Sequence, residues 1–181
     1  MHRTTALKKI FPVFLSAYLL GTIFCAPAAF SGGYDSQIDE KLADNFNGKK
    51  WDEHIASLKT LKYVQKIENY FDEYVDPGEE MQYLGVPVKD IRYVFERDRF
   101  KYAAILFYGK DTYEKLKSVI AKEFGRPEVY EDDAETPGEF SAYWQGVHAF
   151  ISLEYRIQGD MGRILVAKMI PPPEGLQPAN K

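Results

Sequence analysis

Few residues of this chain combine the types and spacing that catalysis needs. After the first 28 residues the sequence has two histidines, His54 and His148, and no cysteine. A hydrolytic triad requires a nucleophile, a base and an orienting acid within hydrogen-bond distance, and no G-x-S-x-G motif presents a serine here. His54 falls on a predicted short helix and His148 opens a predicted strand, so we interpret both as surface or edge residues.

Metal and phosphate sites have no clear signature in the sequence either. The acidic stretch from Glu131 to Glu135 could hold calcium weakly, but it lacks the turn glycine and the regularly spaced oxygens of calcium loops. The sequence has no H-E-x-x-H motif, no cysteine pair and no glycine-rich phosphate loop. We therefore expect no cofactor and no metal, and we interpret the acidic stretch as a solvated loop.

The high aromatic content is the remaining feature that could serve a function. Phe, Trp and Tyr make up 15% of the chain. Strands favour aromatic residues, so packing is one explanation, and a binding surface for a peptide, a glycan or an apolar ligand is the other. Many tyrosines lie on or beside predicted strands: Tyr63, Tyr70, Tyr74, Tyr83, Tyr93, Tyr102, Tyr108 and Tyr143. The candidate binding residues are Trp51, Tyr93, Tyr143 and Trp144.

Residues 1–28 have the order of a secretory signal peptide. Arg3, Lys8 and Lys9 precede an apolar run at residues 10–24, and small residues follow it. The run is shorter than the roughly 20 apolar residues of a comfortable membrane span. The sequence thus predicts a periplasmic or secreted protein, cleaved between Ala26 and Gly32, with no transmembrane segment in the mature chain.

Cys25 allows a second interpretation of this leader, as the acceptor cysteine of a lipoprotein. That modification favours a small residue directly before the cysteine and a leucine-like residue three positions before it. Phe24 and Thr22 occupy these two positions. We therefore expect a free periplasmic or secreted protein rather than a lipoprotein anchored through Cys25.

The charge balance restricts the classes of partner. The full chain has 23 basic and 27 acidic residues and a formal net charge of −4. Loss of Arg3, Lys8 and Lys9 with the leader leaves 20 basic residues, so the mature charge becomes −7. Such a charge disfavours nucleic acid and anionic lipid surfaces. A protein or an envelope component is the expected partner.

After the signal peptide the chain divides into three parts. A leader with a short helix covers residues 29–45, a single α+β domain covers 46–170, and a Pro-rich disordered tail covers 171–181. One short amphipathic helix is predicted through Ile38, Leu42 and Phe46, and a second from Trp51 to Leu61.

The strongest local pattern predicts a long helix from Asp111 to Phe124. Asp111 and Glu114 have the spacing of a capping box, and Gly125 is placed to end the helix. Strands are predicted around it at 69–75, 81–84, 86–88, 91–96, 100–108, 140–145, 148–155 and 163–169. Because strands and helices are segregated, we expect an α+β fold, a mostly antiparallel sheet with the long helix and the short N-terminal helices packed on it.

Several segments also resemble a loose group of known proteins. They are Phe46-x-Gly48-x-x-Trp51, the strand pair 91–95 and 100–108, the helix at 113–127, the segment 143–146 and the strand 151–155. With these motifs the chain resembles small exported bacterial proteins of unknown function, over residues 46–170. The resemblance implies a small α+β domain outside the cytosol, and it brings no activity and no catalytic residues.

These observations favour a non-catalytic periplasmic or secreted domain that binds a protein, an envelope component or a small apolar ligand. Two alternatives stay open. One is a small periplasmic hydrolase whose site has no sequence motif, and the other is a secreted effector or inhibitor. A pocket that joins a histidine to a carboxylate would favour the hydrolase, whereas an exposed aromatic surface would favour binding.

Overall fold

The computed structural model describes residues 36–67, 70–131 and 137–169. The predicted signal peptide, Cys25, the leader up to residue 35 and the predicted tail from 171 onward lie outside the described residues. The elements, in chain order, are α1 (Ser36–Leu42), β1 (Asn45–Phe46), β2 (Lys49–Lys50), a 3-10 helix (Ile55–Ser57), β3 (Lys62–Ile67), β4 (Phe71–Val75), β5 (Gln82–Tyr83), β6 (Val86–Pro87), β7 (Asp90–Glu96), β8 (Arg99–Tyr108), α2 (Lys110–Phe124), β9 (Glu128–Glu131), β10 (Glu139–Gln145), β11 (Ala149–Arg156) and β12 (Met161–Lys168).

An eight-stranded sheet forms the body of the described structure. Its order is β3-β4-β7-β8-β12-β11-β10-β9, and every pairing is antiparallel. The predicted antiparallel sheet with one long helix is confirmed. The apolar run of β8 lies in the centre of the sheet, whereas β3 and β9 form its two edges.

Helix α2 packs on one face of the sheet, against β8 and β11. Its apolar stripe, Tyr113, Leu116, Ile120 and Phe124, is buried against the sheet. The predicted capping box is wrong. The helix begins one residue earlier, at Lys110, and the carbonyl of Gly109 accepts the first amide hydrogen bonds. Asp111 therefore lies in the first turn, where its charge suits the helix dipole.

The segment between β2 and β3 does not form the predicted second helix. A short 3-10 helix replaces it, because the neighbouring backbone bonds to the β7–β8 hairpin instead. The amide of Asp52 donates to the carbonyl of Phe100, and the amide of Ile55 donates to the carbonyl of Asp98. Asp52 itself has a φ of 61°, which is incompatible with a continuous helix. Helix α1 ends at Leu42, so Phe46 belongs to β1 rather than to the first predicted helix.

The two faces of the sheet differ in character. On the face that packs against α2, the helix face, alternate residues of the strands build one apolar core, represented in β8 by Ala103, Ile105 and Phe107. The opposite face has some buried apolar residues, such as Val94 and Leu165, but it also has the charged groups of several strands. We call this second face the polar face.

Helix α1 is fixed to the sheet by one carboxylate. Asp39 accepts backbone hydrogen bonds from Val147, His148 and Ala149, at 2.6, 2.7 and 3.1 Å, and so holds the turn between β10 and β11. The chain at Gly146 passes so close that a Cβ there would lie 2.3 Å from Asp39 Oδ1. A side chain at residue 146 would therefore displace this carboxylate.

Candidate functional site

Three of the four predicted binding residues lie in the core. Trp51, Tyr93 and Trp144 expose 7%, 0% and 2% of their surface. Trp51 stacks on Phe100 at 4.8 Å between ring centroids, and Tyr93 contacts the same ring at 5.7 Å. Both indoles have backbone partners, since Trp51 Nε1 donates to the Leu42 carbonyl and Trp144 Nε1 to the Gly125 carbonyl. These contacts give the three rings a packing role.

Tyr143 is placed differently from the other three candidates. It is half-buried on β10 and lies opposite Ser152 of β11. The structure therefore brings Trp51 and Tyr93 together around Phe100 but places Tyr143 on the outer part of the sheet. A binding role for these four residues stays a prediction.

A polar cluster surrounds the buried ring of Tyr93. Its members are Asn47, Lys49, Asp76, Glu79 and Tyr93. The Tyr93 hydroxyl lies 2.6 Å from both carboxylate oxygens of Glu79, and Asn47 Nδ2 donates to Glu79 Oε1 at 2.7 Å. Lys49 Nζ lies 3.3 Å from Asp76 Oδ2 and 4.3 Å from the centroid of the Tyr93 ring. The cluster thus joins the β1–β2 hairpin and the turn after β4 to strand β7.

The pKa shifts in this cluster favour stable pairing over proton transfer. Burial, followed by the hydrogen bond to Glu79, raises the pKa of the Tyr93 hydroxyl and keeps it protonated. Burial alone would raise the pKa of Asp76. Hydrogen bonds from the Gly78 amide, Lys49 and Thr60 outweigh that effect and hold the pKa of Asp76 below its usual range. These neighbours therefore favour the neutral hydroxyl of Tyr93 and the ionised carboxylate of Asp76.

The polar face contains a second set of titratable groups. Arg92 pairs with Asp90, and Arg163 pairs with Glu154, with 2.8 Å between Arg163 Nη2 and Glu154 Oε2. Glu73 is 7% exposed and accepts a 2.7 Å hydrogen bond from Gln65 Nε2. Burial raises the pKa of the Glu73 carboxyl, although Gln65 and Arg92 partly oppose the shift.

The two histidines lie apart from these groups. His54 is exposed, and its Nδ1 accepts a hydrogen bond from the Ala56 amide, so it caps the 3-10 helix. His148 is exposed in the turn held by Asp39. Neither imidazole forms an ion pair with a carboxylate in the part of the chain that the structure describes, and within that part no group of His, Cys, Asp and Glu side chains is arranged to hold a metal ion.

The most exposed aromatic residues lie at one edge of the sheet. Tyr63 and Tyr70 expose 57% and 60% of their surface, and Val64 exposes 38%. Tyr63 and Val64 belong to β3, and Tyr70 directly precedes β4, so the three residues lie around the same edge. We call the strand β3 together with Tyr70 the β3 edge. The ring of Tyr63 contacts the ring of Tyr74 in a T-shaped arrangement, with 5.7 Å between ring centroids.

The sequence analysis did not predict β3, since its first predicted strand begins at residue 69. Its sequence, K-Y-V-Q-K-I, contains two lysines and a glutamine, and five of its six residues are exposed. A bulge at Val64 interrupts its pairing with β4. The usable signal was the β-branched and aromatic pair Tyr63-Val64 between polar residues, which is typical of a short edge strand.

Lysines give this edge a positive charge. Lys62 and Lys66 lie on β3 and Lys59 precedes it, and none of them forms an ion pair within 4 Å among the described residues. Asp72 lies opposite Lys66 and Glu73 lies opposite Gln65 in the β3–β4 pairing, and both acidic residues belong to β4. Strand β3 itself has lysines and no acidic residue, so the β3 edge combines exposed rings with positive side chains in an acidic protein.

Comparison of the chain with protein-family models, with curated proteins and with solved structures finds no match. The resemblance to small exported bacterial proteins therefore stays a prediction. Within the described residues, no helix has the length and apolar character needed to span a bilayer.

Proposed function

We propose that this protein is a non-catalytic binding domain of the periplasm or the extracellular medium, and that it engages a protein partner at the β3 edge. The observation that carries this proposal is the exposure of Tyr63, Val64 and Tyr70 around one sheet edge, whereas Tyr93 and Tyr102 of the inner strands are buried. Tyrosine is enriched at protein interfaces because it combines a large contact area with a hydroxyl.

The geometry of the edge supports a protein partner more than a small apolar ligand. A small ligand requires a concave site that buries most of its surface. The side chains at residues 62–66 are all exposed, so they offer an extended contact surface instead. A sheet edge also has unpaired backbone groups that a second polypeptide can use.

The test compares two variants in which tyrosine is replaced by serine at different places. The full chain is expressed with its leader in the native host, and its partners are captured from envelope extract. We expect Tyr63→Ser with Tyr70→Ser to abolish capture of a specific partner. Tyr108→Ser is the matched control, because Tyr108 is 51% exposed at the opposite end of β8 from the β7–β8 hairpin. Equal capture by both variants would contradict a role for the β3 edge, provided that circular dichroism shows intact folding.

The export part of this proposal rests on the leader sequence. We expect the purified protein to begin between residues 27 and 32, because signal peptidase recognises the basic, apolar and small residues in this order. Intact mass spectrometry of the protein from the periplasm or medium measures the cleavage point. A mass that corresponds to the chain from Met1, or to a lipid on Cys25, would contradict the proposal of a free exported protein.

The hydrolase alternative is favoured by one feature, Glu73, because a buried carboxyl with a raised pKa is suited to act as a general acid. Ser152 lies on the same face, but it donates to Glu154 and its strand is four positions away from β4, roughly 19 Å at 4.8 Å per strand. Glu73 and Ser152 therefore do not converge on one reacting atom.

A further inference from the structure

We propose that the partner contributes an extended acidic segment, which pairs with β3 as an additional strand of the sheet. This inference rests on the proposed binding role of the β3 edge and specifies its partner. Strand addition at a sheet edge uses backbone hydrogen bonds for affinity and side-chain contacts for specificity. The backbone of the edge strand can form the hydrogen bonds, and its lysines and tyrosine can form the side-chain contacts.

The backbone of β3 is free for such pairing. Strand β3 pairs with β4 on one side, and among the described residues no hydrogen bond links the backbone of residues 62–67 to any other element. Alternate residues of an edge strand point their N–H and C=O groups away from the sheet. A six-residue strand therefore offers a short row of donors and acceptors, enough for a segment of similar length.

The charges of the edge specify an acidic segment. Because of the bulge at Val64, Lys62 and Lys66 point to opposite faces of the sheet, next to Gln65 and Tyr63 respectively. An incoming strand with carboxylates on both faces would meet a lysine on each side. Asp72 is already opposite Lys66, but the residue opposite Lys62 is Val75, so β4 places no carboxylate directly opposite Lys62. Apolar residues between the carboxylates would contact Val64 and the ring of Tyr63.

The same features exclude pairing between the β3 edges of two copies. Lysines on an edge strand oppose its pairing with another edge of the same charge. Two β3 strands would bring four lysines together, since each copy contributes Lys62 and Lys66. An acidic strand removes this repulsion. The β3 edge is therefore protected against its own copies and open to a partner of opposite charge.

The experiment uses the purified, processed protein and two fluorescent peptides of nine residues. One peptide repeats Glu-Glu-Val, so that an extended strand has carboxylates on both faces, and the other repeats Lys-Lys-Val. Anisotropy measures binding at low and high salt, and NMR amide exchange measures protection of residues 62–67. The test variant is Lys62→Glu with Lys66→Glu. The control is Lys115→Glu with Lys122→Glu, because these two exposed lysines lie on α2, which packs against β8 and β11.

We expect the acidic peptide to bind, to lose affinity by about tenfold or more in the β3 variant, and to weaken with salt. The α2 variant should retain the affinity, the basic peptide should bind weakly, and the β3 amides should exchange more slowly in the complex. Equal binding of both peptides, equal binding by both variants, or unchanged β3 exchange would overturn strand addition by an acidic segment.

The capture experiment separates this inference from the proposed function. If Tyr63→Ser with Tyr70→Ser abolishes partner capture but Lys62→Glu with Lys66→Glu does not, the β3 edge binds a partner and the acidic-strand inference is wrong. If neither variant affects capture, both the proposed function and this inference are wrong.

Discussion

Aromatic residues around Phe100 and aromatic residues at the β3 edge have opposite environments. Trp51 and Tyr93 lie against Phe100 and are almost inaccessible, whereas Tyr63 and Tyr70 expose more than half of their surface. Residue type is shared between the two regions, so it does not distinguish them. The difference comes from what covers each strand. The β1–β2 hairpin and the segment after it cover β7 and β8, and β3 has a neighbouring strand on one side.

The charged side chains of the two regions also differ in whether they are available to a partner. In the polar cluster around Tyr93, Lys49 and Asp76 pair with one another, and Glu79 accepts from Tyr93. Such pairs are retained because removing one partner leaves an uncompensated charge. At the β3 edge, Lys62 and Lys66 remain solvated and can exchange water for a carboxylate of a partner. The first region therefore contributes mainly to folding, and the second is suited to recognition.

Truncation of a core aromatic should have the largest effect on stability. We expect Trp144→Ala to lower the free energy of unfolding by about 3–5 kcal/mol, because it removes a buried ring and the hydrogen bond to the Gly125 carbonyl. Urea denaturation measures the change. The adjacent, half-buried Tyr143→Ala should cost clearly less. Similar losses of unfolding free energy for the two variants would mean that burial does not determine how much each of these adjacent residues stabilises the fold.

Loss of the Asp39 hydrogen bonds should have the second largest effect on stability. Asp39→Asn replaces one acceptor oxygen by an NH2 group, so at least one of the three backbone donors at 147–149 loses its partner. We expect a loss of about 1–3 kcal/mol in unfolding free energy. Asp44→Asn is the control, since Asp44 is exposed and its side chain has no described partner. A change within about 0.5 kcal/mol for Asp39→Asn would show that α1 does not depend on this contact.

The sequence was sufficient to predict elements whose apolar pattern matches their burial. Leu116 and Ile120 repeat at helical spacing, and the run in β8 is apolar on both faces, so α2 and the central strand follow from local sequence. The prediction of a second short helix was wrong, because the backbone hydrogen bonds of Asp52 and Ile55 to the β7–β8 hairpin override the local helical pattern. The exposure of the β3 edge could not be predicted, since it depends on the order of strands, which the sequence pattern does not contain.

Substitution of Glu73 should have a smaller effect on stability, and that effect should depend on pH. Burial raises the pKa of this carboxyl in the folded state above its unfolded value. The folded protein therefore binds the proton more tightly, and the stabilisation is present below the unfolded pKa and is lost as pH rises through the folded pKa. We expect Glu73→Gln to increase the melting temperature at pH 7 and to have little effect near pH 4.

The measurement for Glu73 is thermal unfolding of both proteins across this pH range. Glutamine keeps an oxygen that can accept from Gln65 Nε2, so the variant changes ionisation with little change in shape. Glu40→Gln is the exposed control and should shift the melting temperature equally at both pH values. A destabilised Glu73→Gln protein at pH 7 would mean that the ionised carboxylate has a favourable partner on the polar face.

The smallest effect on stability is expected at the β3 edge, where the effect on binding should be large. Tyr63→Ser with Tyr70→Ser removes two rings that are already more than half exposed, so the unfolding free energy should change by about 0.5 kcal/mol or less for each substitution. Tyr63 also loses its contact with Tyr74, which makes it the more sensitive of the two. Urea denaturation and partner capture are measured on the same preparation. A loss of capture without a loss of stability identifies rings kept for recognition, whereas a loss of stability comparable to that of Trp144→Ala would place Tyr63 and Tyr70 with the core and remove the distinction between the two regions.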